Sequence, residues 1–281
     1  MNSSLHLLSA DFADADLLLL TETWTYPGVD APAITGYTCF SSSREYMHAQ
    51  AVRPSGGVAC YIKDSMAIHF ELWKVPSPGS ILWLKSKHKL VQNHGTHHLY
   101  VGLVYLPPKG STFEQHCDTQ PILEQLQQDV AEVTAHNGLV LLTGDFNART
   151  GEAADTLDAD IAGDLLDNTL QPAVSTPLPL RKSADTKVCP FGKSLLNICQ
   201  SSDMVIVNGR AKGDEMGAYT CHISKGSSVV GYFITSSSLM ASVRSMIVQE
   251  RCLESDHCPL MLMLGLQAEN LACATSNRCP R

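Results

Sequence analysis

Short runs of apolar residues, each ended by a turn or a polar residue, recur along this chain of 281 residues. Four of these runs in the first half predict buried strands: Leu17–Leu20, GGVACYIKD, ILWLKS and HLYVGLVYLPPKG. The last run is closed by two prolines, which cannot continue a strand ladder. The first half of the chain therefore contributes mainly to sheets.

An amphipathic helix is predicted between Pro121 and Ala135, where apolar residues recur at helical spacing. Thr119 is a suitable cap before the helix, and Gly138 lies just past its end. The helix leads directly into the apolar run LVLLTG, which predicts a strand. The polar segment GDFN thus lies at the carboxyl end of a strand, where α/β folds place their sites.

The second half of the chain continues the alternation after a long acidic segment from Thr150 to Pro179, which is predicted to be a surface loop. A helix is expected in KSLLNICQSS, a strand in DMVIVNG, two strands joined through SKGS in AYTCHISKGSSVVGYFITSS, and a last strand in CPLMLML. Helices in the middle and hairpins at both flanks favour a sheet sandwich over a barrel or a doubly wound sheet. We expect one domain over residues 1–266 and a disordered tail over 267–281.

The composition narrows the classes of protein that fit. The formal net charge of −8 excludes a global positive field that would attract a polyanion, so any phosphate recognition must be local. Ten scattered cysteines without a C-x-x-C pair indicate reduced thiols. Without a secretory signal or a long apolar stretch, the chain is expected to be soluble and intracellular, with no membrane partner and no sign of an obligate oligomer.

Candidate chemistry lies at the boundaries of the apolar runs. Polar side chains that end or precede a strand are Glu22, Tyr105, Asp145, Asn147, Asp256 and His257. Each taken alone is more often a helix cap, a solvated acid or a core tyrosine. Together they supply what metal-assisted phosphodiester hydrolysis requires.

Two of these residues have the chemistry of metal ligands. Glu22 and Asp256 offer carboxylate oxygens, which suit a hard cation such as Mg²⁺, with Mn²⁺ as an alternative.

The other four residues suit the reacting groups. Asp145 beside Asn147 can orient and deprotonate a water, and His257 with Tyr105 can donate hydrogen bonds to phosphate oxygens. The set predicts a phosphodiesterase site.

The segments LLLLTETW, GGVACYI, VYLPPKG, LLTGDFNARTG and SDHCPLML, in this order, resemble the endonuclease/exonuclease/phosphatase family. YLPP and RKSADTKVCPFGKSLLNIC are most similar to the endonuclease domain of LINE-type non-LTR retrotransposons. The resemblance covers residues 17–264. It implies a four-layered α-β-β-α sandwich of two mixed sheets with outer helices, a Mg²⁺-dependent site made by the six residues above, and the DNA backbone as substrate.

The sequence departs from the family pattern at two places. The family has a first strand that ends in a metal-binding Asn, and this strand is expected to be missing. Gly231 stands where the family has an acid that orients the site histidine. Loss of an orienting acid costs about four orders of magnitude in turnover in serine proteases. A different interpretation is that Gly231 marks a β-bulge and that Glu254 orients His257.

Three functions remain open from the sequence. The favoured one is a Mg²⁺-dependent DNA endonuclease whose turnover is impaired by Gly231 and the missing Asn. The alternatives are an inactive nuclease-like binding domain and a phosphatase of the same fold that acts on a small phosphoester.

Other possible sites in the sequence are weaker. His94, His97 and His98 lack cysteine or acid partners at zinc-ligand spacing. FGKSLL lacks the opening glycine of a phosphate-binding loop and fits the start of a helix. The lysines at 85, 87 and 89 alternate along one face, which suits either a nucleic-acid backbone or a charged sheet edge.

Overall fold

The computed structural model describes residues 12, 14–45, 47, 54–92, 95–111, 119–157, 178–253 and 255–267. The strands of the first half are β1 (Leu17–Thr21), β2 (Tyr37–Ser42), β3 (Val58–Lys63), β4 (Phe70–Ser77), β5 (Ile81–Ser86), β6 (Leu90–Gln92), β7 (Gly95–His97), β8 (Leu99–Tyr105) and β9 (Leu139–Asp145). Those of the second half are β10 (Met204–Ile206), β11 (Cys221–Ile223), β12 (Gly226–Ser228), β13 (Gly231–Ser236), β14 (Val243–Val248) and β15 (Leu260–Leu264). The helices are α1 (Asp64–Ala67), α2 (Gln120–Ala135), α3 (Pro190–Ser201) and a 3₁₀ helix (Ser237–Ser242).

The larger sheet has six strands in the order β10-β13-β9-β8-β5-β4. β8 and β9 are parallel, and every other neighbouring pair in this sheet is antiparallel. A parallel pair requires a crossover, and α2 lies in the connection between the two strands. The parallel register aligns Tyr105 with Asp145, so both strands end at the same edge of the sheet.

The smaller sheet is antiparallel and has the order β1-β3-β2. Three further antiparallel ladders among the described residues join β6 to β7, β11 to β12 and β14 to β15. In the described part of the chain, the β14–β15 ladder is not hydrogen-bonded to the smaller sheet. Side chains of the smaller sheet and of the β14–β15 ladder nevertheless pack into the same core, together with side chains of the larger sheet.

Alternate residues of the central strands enter two different cores. On β5, Ile81 and Trp83 pack with the helices, whereas Leu82 and Leu84 face the smaller sheet. A strand covered on both faces needs apolar residues at consecutive positions, which explains the unbroken apolar runs of the sequence. The fold is therefore the predicted α/β sandwich, with helices outside a mixed sheet.

Most predicted elements are confirmed. α2 begins directly after Thr119, but the Thr119 side chain makes no capping hydrogen bond. α3 begins at Pro190, so that FGKS lies inside a helix. The prediction of two strands in AYTCHISKGSSVVGYFITSS was incomplete. SKGS joins only the short β11 and β12, and the next strand, β13, belongs to the larger sheet. β2, β4 and β14 were not predicted, because their polar and apolar residues are mixed. The short β6 and β7 lie where only a connection between two strands was expected.

Several predictions fall on parts of the chain outside the described residues. These are the N-terminal residues 1–11, which bear on the expected absence of the family's first strand, residues 158–177 of the acidic loop, His94, Glu254, and the tail beyond Gln267. Within the described part, no helix is both long enough and apolar enough to cross a membrane. His97 and His98 each place Nδ1 against a backbone carbonyl, at 2.8 Å from Asn137 and 2.7 Å from Ser86. Backbone bonding accounts for these two histidines.

Candidate active site

Three candidate residues meet at one end of the sandwich. Tyr105 and Asp145 are neighbours at the carboxyl ends of β8 and β9. Glu22 follows β1 directly, and its Oε1 accepts a hydrogen bond from the Tyr105 hydroxyl. Residues from three strands, which are far apart in the sequence, are therefore in contact.

The GDFN segment is a tight turn that folds back on Asp145. The backbone N–H of Asn147 donates to Asp145 Oδ1 at 3.0 Å, and its side-chain amide donates to Asp145 Oδ2 at 2.7 Å and to the Leu106 carbonyl at 2.8 Å. Gly144 has a φ of +135°, and a Cβ there would lie 1.9 Å from the Val104 carbonyl oxygen. Phe146 is fully buried in the core. The turn thus fixes both oxygens of the Asp145 carboxylate.

His257 lies beside Asp145. Its Nε2 lies 3.8 Å from Asp145 Oδ2, and the side chains are 32% and 7% exposed, respectively. Burial raises the pKa of Asp145 to about 6, although the nearby His257 and the hydrogen bonds from Asn147 oppose the rise. Burial alone would lower the pKa of His257, but a hydrogen bond with Cys221 and the charge of Asp145 raise it to about 9. At neutral pH, a histidine cation therefore faces a carboxylate that has lost most of its proton.

Tyr105 is buried and keeps its proton. Burial and the charge of Glu22 raise the pKa of its hydroxyl well above the usual range. The guanidinium of Arg44 lies 5.3 Å from the centre of the Tyr105 ring. Arg44 is 5% exposed, and it also donates to Ser55 Oγ at 3.1 Å and to Ser80 Oγ at 3.4 Å. Arg44 was not a candidate in the sequence analysis, because it lies in a polar segment outside every apolar run.

Asp256 lies at the rim of the pocket with an exposed side chain. Its carboxylate, a ring nitrogen of His257 and Cys221 Sγ lie within 4.8 Å of one another. No comparable group of three in the described part of the chain contains Glu22. The pairing of Glu22 with Asp256 as ligands of one ion therefore stays a prediction.

The carboxylates present fit a hard divalent cation. The charge of Glu22 contributes to the raised pKa of Asp145, which shows that the two acids repel each other across the pocket. A cation bound to Glu22 would offset this repulsion, and carboxylate oxygens are the ligands that Mg²⁺ prefers in proteins.

Gly231 lies opposite Asp145 in the antiparallel β13–β9 ladder. The ladder runs from Gly231 to Thr235 without a register shift, so the interpretation of Gly231 as a bulge is wrong. Cys221 also lies beside the imidazole: it forms an isolated β-bridge with His257, and its Sγ lies within 4.8 Å of a ring nitrogen. The sequence did not indicate Cys221, since the bridge joins segments that are separated by more than thirty residues.

A side chain at position 231 would meet few obstacles. A Cβ there would lie 3.3 Å from Leu260 Cδ1, and next 3.5 Å from Thr220 Oγ1. The nearest atom is the far end of a flexible side chain, which can move by the few tenths of an ångström required.

Comparisons with other proteins agree with this architecture. The sequence matches the model of the Endonuclease/Exonuclease/phosphatase family over residues 2–210. No curated protein has a significantly similar sequence. The family match thus covers most of the chain.

Three solved structures illustrate the similarity in fold. The catalytic domain of APE2 from Xenopus laevis has a TM-score of 0.62 and 17% identity, over 93% of this chain and 87% of that one. The 3′ phosphatase NExo from Neisseria, bound to a product DNA hairpin, has a TM-score of 0.60 and 17% identity, over 94% of this chain and 95% of that one. The AP endonuclease LMAP from Leishmania major has a TM-score of 0.63 and 14% identity, over 95% of this chain and 83% of that one. At these identities the likeness shows the fold alone.

Proposed function

This chain belongs to the endonuclease/exonuclease/phosphatase family, and we propose that it is a Mg²⁺-dependent phosphodiesterase that cuts the DNA backbone slowly. The observation that carries the proposal is the contact between Asp145 and His257, 3.8 Å apart, beside the hydrogen-bonded pair of Tyr105 and Glu22. These side chains come from four separate parts of the sequence and surround one pocket. An acid, a histidine cation and a phenol in one pocket are suited to hydrolysing a phosphate ester.

Asp145 is the group that accepts the proton of the attacking water. A pKa of about 6 leaves it ionised at neutral pH while keeping it basic enough for proton transfer. Asn147 holds both carboxylate oxygens, which fixes the direction from which a water can be deprotonated.

His257 and Tyr105 are the donors to the phosphate oxygens. The pKa of about 9 keeps His257 protonated, so that it can donate to the oxygen on which negative charge develops. The Tyr105 hydroxyl is held by Glu22 until a phosphate oxygen offers a competing acceptor.

Glu22 and Asp256 are the residues that would hold Mg²⁺. Bound there, the ion would neutralise charge on the phosphate and polarise its ester bond. Asp256 is exposed and can reach an incoming ion from the rim of the pocket.

DNA is the substrate class that the structural neighbours favour. NExo was solved with a product DNA hairpin, and LMAP is an AP endonuclease. A relationship to the endonuclease domain of LINE-type retrotransposons is a narrower proposal, and it rests on the segments YLPP and RKSADTKVCPFGKSLLNIC.

Slow turnover follows from the surroundings of His257. Gly231 offers no carboxylate to orient the imidazole, and the thiol of Cys221 contacts it instead. A weak sulfur partner fixes the ring less firmly than a charged carboxylate does.

Plasmid nicking with Mg²⁺ tests the proposal. The expected result is slow conversion of supercoiled plasmid to open circles, abolished by EDTA and by Asp145→Ala. Plasmid binding without any nicking, by protein that binds Mg²⁺ in a calorimetric titration, would instead identify an inactive binding domain.

A phosphatase is the second candidate, because NExo is described as a 3′ phosphatase. Release of phosphate from a small phosphomonoester or from a 3′-phosphorylated oligonucleotide, without plasmid nicking, would favour this function.

A further inference from the structure

A second set of metal-binding atoms lies at the rim of the pocket and differs in kind from the carboxylates inside it. It consists of Cys221, Asp256 and His257, whose ligand atoms lie within 4.8 Å of one another. It joins a thiol and an imidazole to one carboxylate. Hard cations such as Mg²⁺ avoid sulfur, whereas Zn²⁺ binds thiolate and imidazole well.

Backbone pairing holds the three residues together. Cys221 and His257 form an antiparallel bridge, and the N–H of His222 donates to the Asp256 carbonyl at 2.8 Å. On the other side, the N–H of Cys258 donates to the Thr220 carbonyl at 2.9 Å. The alignment of the ligands is therefore built into the fold and does not depend on the side chains alone.

The burial of the three residues suits entry of an ion from one direction. Cys221 is 6% exposed, the His257 side chain is 32% exposed, and Asp256 is exposed. Zinc bonds of roughly 2.0–2.3 Å bring ligand atoms to about 3.5 Å from each other. Small side-chain movements from the present separations reach this distance.

We propose that Cys221, Asp256 and His257 form a binding site for a thiophilic divalent cation, with Zn²⁺ as the matching ion and a fourth position open to solvent. Binding releases the proton of the Cys221 thiol and the ring proton of the coordinating His257 nitrogen to solvent. Three protein ligands with one open position is an arrangement that zinc adopts in proteins.

The site has a consequence that rests on the proposed function. Once coordinated, His257 can no longer donate a proton to the phosphate, and Asp256 is withdrawn from the Mg²⁺ that the hydrolysis needs. Zn²⁺ bound here therefore inhibits DNA cleavage, and the site regulates the enzyme.

Titration of the full-length protein with Co²⁺ tests binding directly, because a Co²⁺–thiolate bond gives a charge-transfer band that is independent of activity. We expect this band together with the strong visible absorption of tetrahedral Co²⁺, and its loss on addition of Zn²⁺. The chain has ten cysteines, so the relevant quantity is the single equivalent that depends on Cys221.

Cys221→Ser is expected to remove that equivalent and to weaken Zn²⁺ binding at this site by more than about 100-fold, since even indirect partners of a metal cost up to this factor. Cys252→Ser, a cysteine of the same C-terminal region outside the cluster, is the matched control and should titrate like the wild type. His257→Gln keeps the thiol and should also lose the equivalent, which covers the case that Cys221→Ser does not fold. Titration of both variants like the wild type would overturn the site.

Inhibition is measured as plasmid nicking in Mg²⁺ with increasing Zn²⁺, with each variant normalised to its own rate in Mg²⁺ alone. We expect Zn²⁺ to inhibit the wild type and the Cys252→Ser protein at a concentration at least about ten times lower than it inhibits Cys221→Ser. Equal inhibition of all three would overturn the regulatory role. If no protein nicks DNA at all, the proposed function fails, whereas the Co²⁺ titration still decides the metal site.

Discussion

The residues around His257 suit its imidazole to two roles, that of a proton donor and that of a metal ligand. Its Nε2 lies 3.8 Å from the buried Asp145 carboxylate, and the Cys221 thiol lies within 4.8 Å of a ring nitrogen. An acid at position 231 would have given it a third, charged partner. The balance among these partners decides whether His257 serves as a proton donor or as a metal ligand, and it can be shifted by single substitutions.

Gly231→Asp is expected to raise the rate of Mg²⁺-dependent nicking by about 10-fold or more, because a carboxylate there can orient His257 and stabilise its cation. The new Cβ would approach only Leu260 closely, at 3.3 Å, so the fold should tolerate it. The measurement is the initial rate of plasmid nicking. Gly231→Asn is the matched control, since it adds similar volume without the charge, and an equal gain from both would contradict the electrostatic explanation.

Tyr105→Phe is expected to lower kcat by about 100-fold, which is typical for removing one donor to a developing oxyanion. The hydroxyl also holds Glu22, so the Mg²⁺ concentration at half-maximal rate is measured alongside kcat. Tyr100→Phe makes the same change near the opposite end of β8 and should have little effect. A change in Mg²⁺ dependence with unchanged kcat would show that Tyr105 positions Glu22 and does not contact the phosphate.

At the scale of elements, the site depends on how the segment after the acidic loop is fastened to the larger sheet. Asp185 in this segment is nearly buried and accepts from Arg149 Nε at 2.7 Å and Nη2 at 2.5 Å. It also accepts from the backbone N–H of Val229 at 3.1 Å, just before β13. One carboxylate thus links the turn that follows Asp145 with the strand that pairs with it.

Asp185→Asn is expected to lower the free energy of unfolding by about 2 kcal/mol at neutral pH, because the buried carboxylate accepts charge-assisted hydrogen bonds from the partly exposed Arg149. Although burial opposes it, the hydrogen bonds from Arg149 lower the pKa of Asp185 in the folded state. The stabilisation is therefore complete above the unfolded-state value of about 4 and is lost as the pH falls through the lower folded-state value.

Denaturant unfolding at pH 7 and in the acid range measures this effect. The difference between wild type and Asp185→Asn should be largest at pH 7 and shrink in acid, while Glu71→Gln at an exposed position should change little at either pH. A difference that does not depend on pH would mean that packing, and not the charge, is lost in Asp185→Asn.

The sequence predicted the elements whose chemistry is local and missed those that depend on distant partners. β5 and β8 are covered on both faces, so they need apolar residues at consecutive positions, and such runs can be recognised in the sequence. The acid Asp145 and the amide Asn147 were found because they end such a strand. Arg44 and Cys221 were missed, since each acquires its role only by contact with a residue far along the chain, Tyr105 and His257 respectively.

At the scale of the whole molecule, the net charge of −8 and the geometry of the sheet decide how DNA can be bound. Lys85 pairs with Tyr100 in the β5–β8 ladder, whereas the site lies at Tyr105, five residues further along β8. At about 3.4 Å per residue, this places the lysine cluster roughly 17 Å from the site, towards the opposite end of the sheet. Lys85 is also not on a sheet edge, because β5 lies between β4 and β8.

A nuclease that binds only through its pocket should depend weakly on salt. The logarithm of the association constant falls by about 0.9 for each phosphate contacted per logarithm of salt concentration, so contact with a few phosphates predicts a slope shallower than about −4. The measurement is fluorescence anisotropy of a labelled duplex with Asp145→Asn protein, which prevents turnover. Exchanging Lys87 and Lys89 for Glu should leave both affinity and slope unchanged, because these lysines lie far from the pocket. A steep slope that these substitutions reduce would show that DNA runs along the sheet towards the lysines, and the local recognition inferred from the acidic charge would then be wrong.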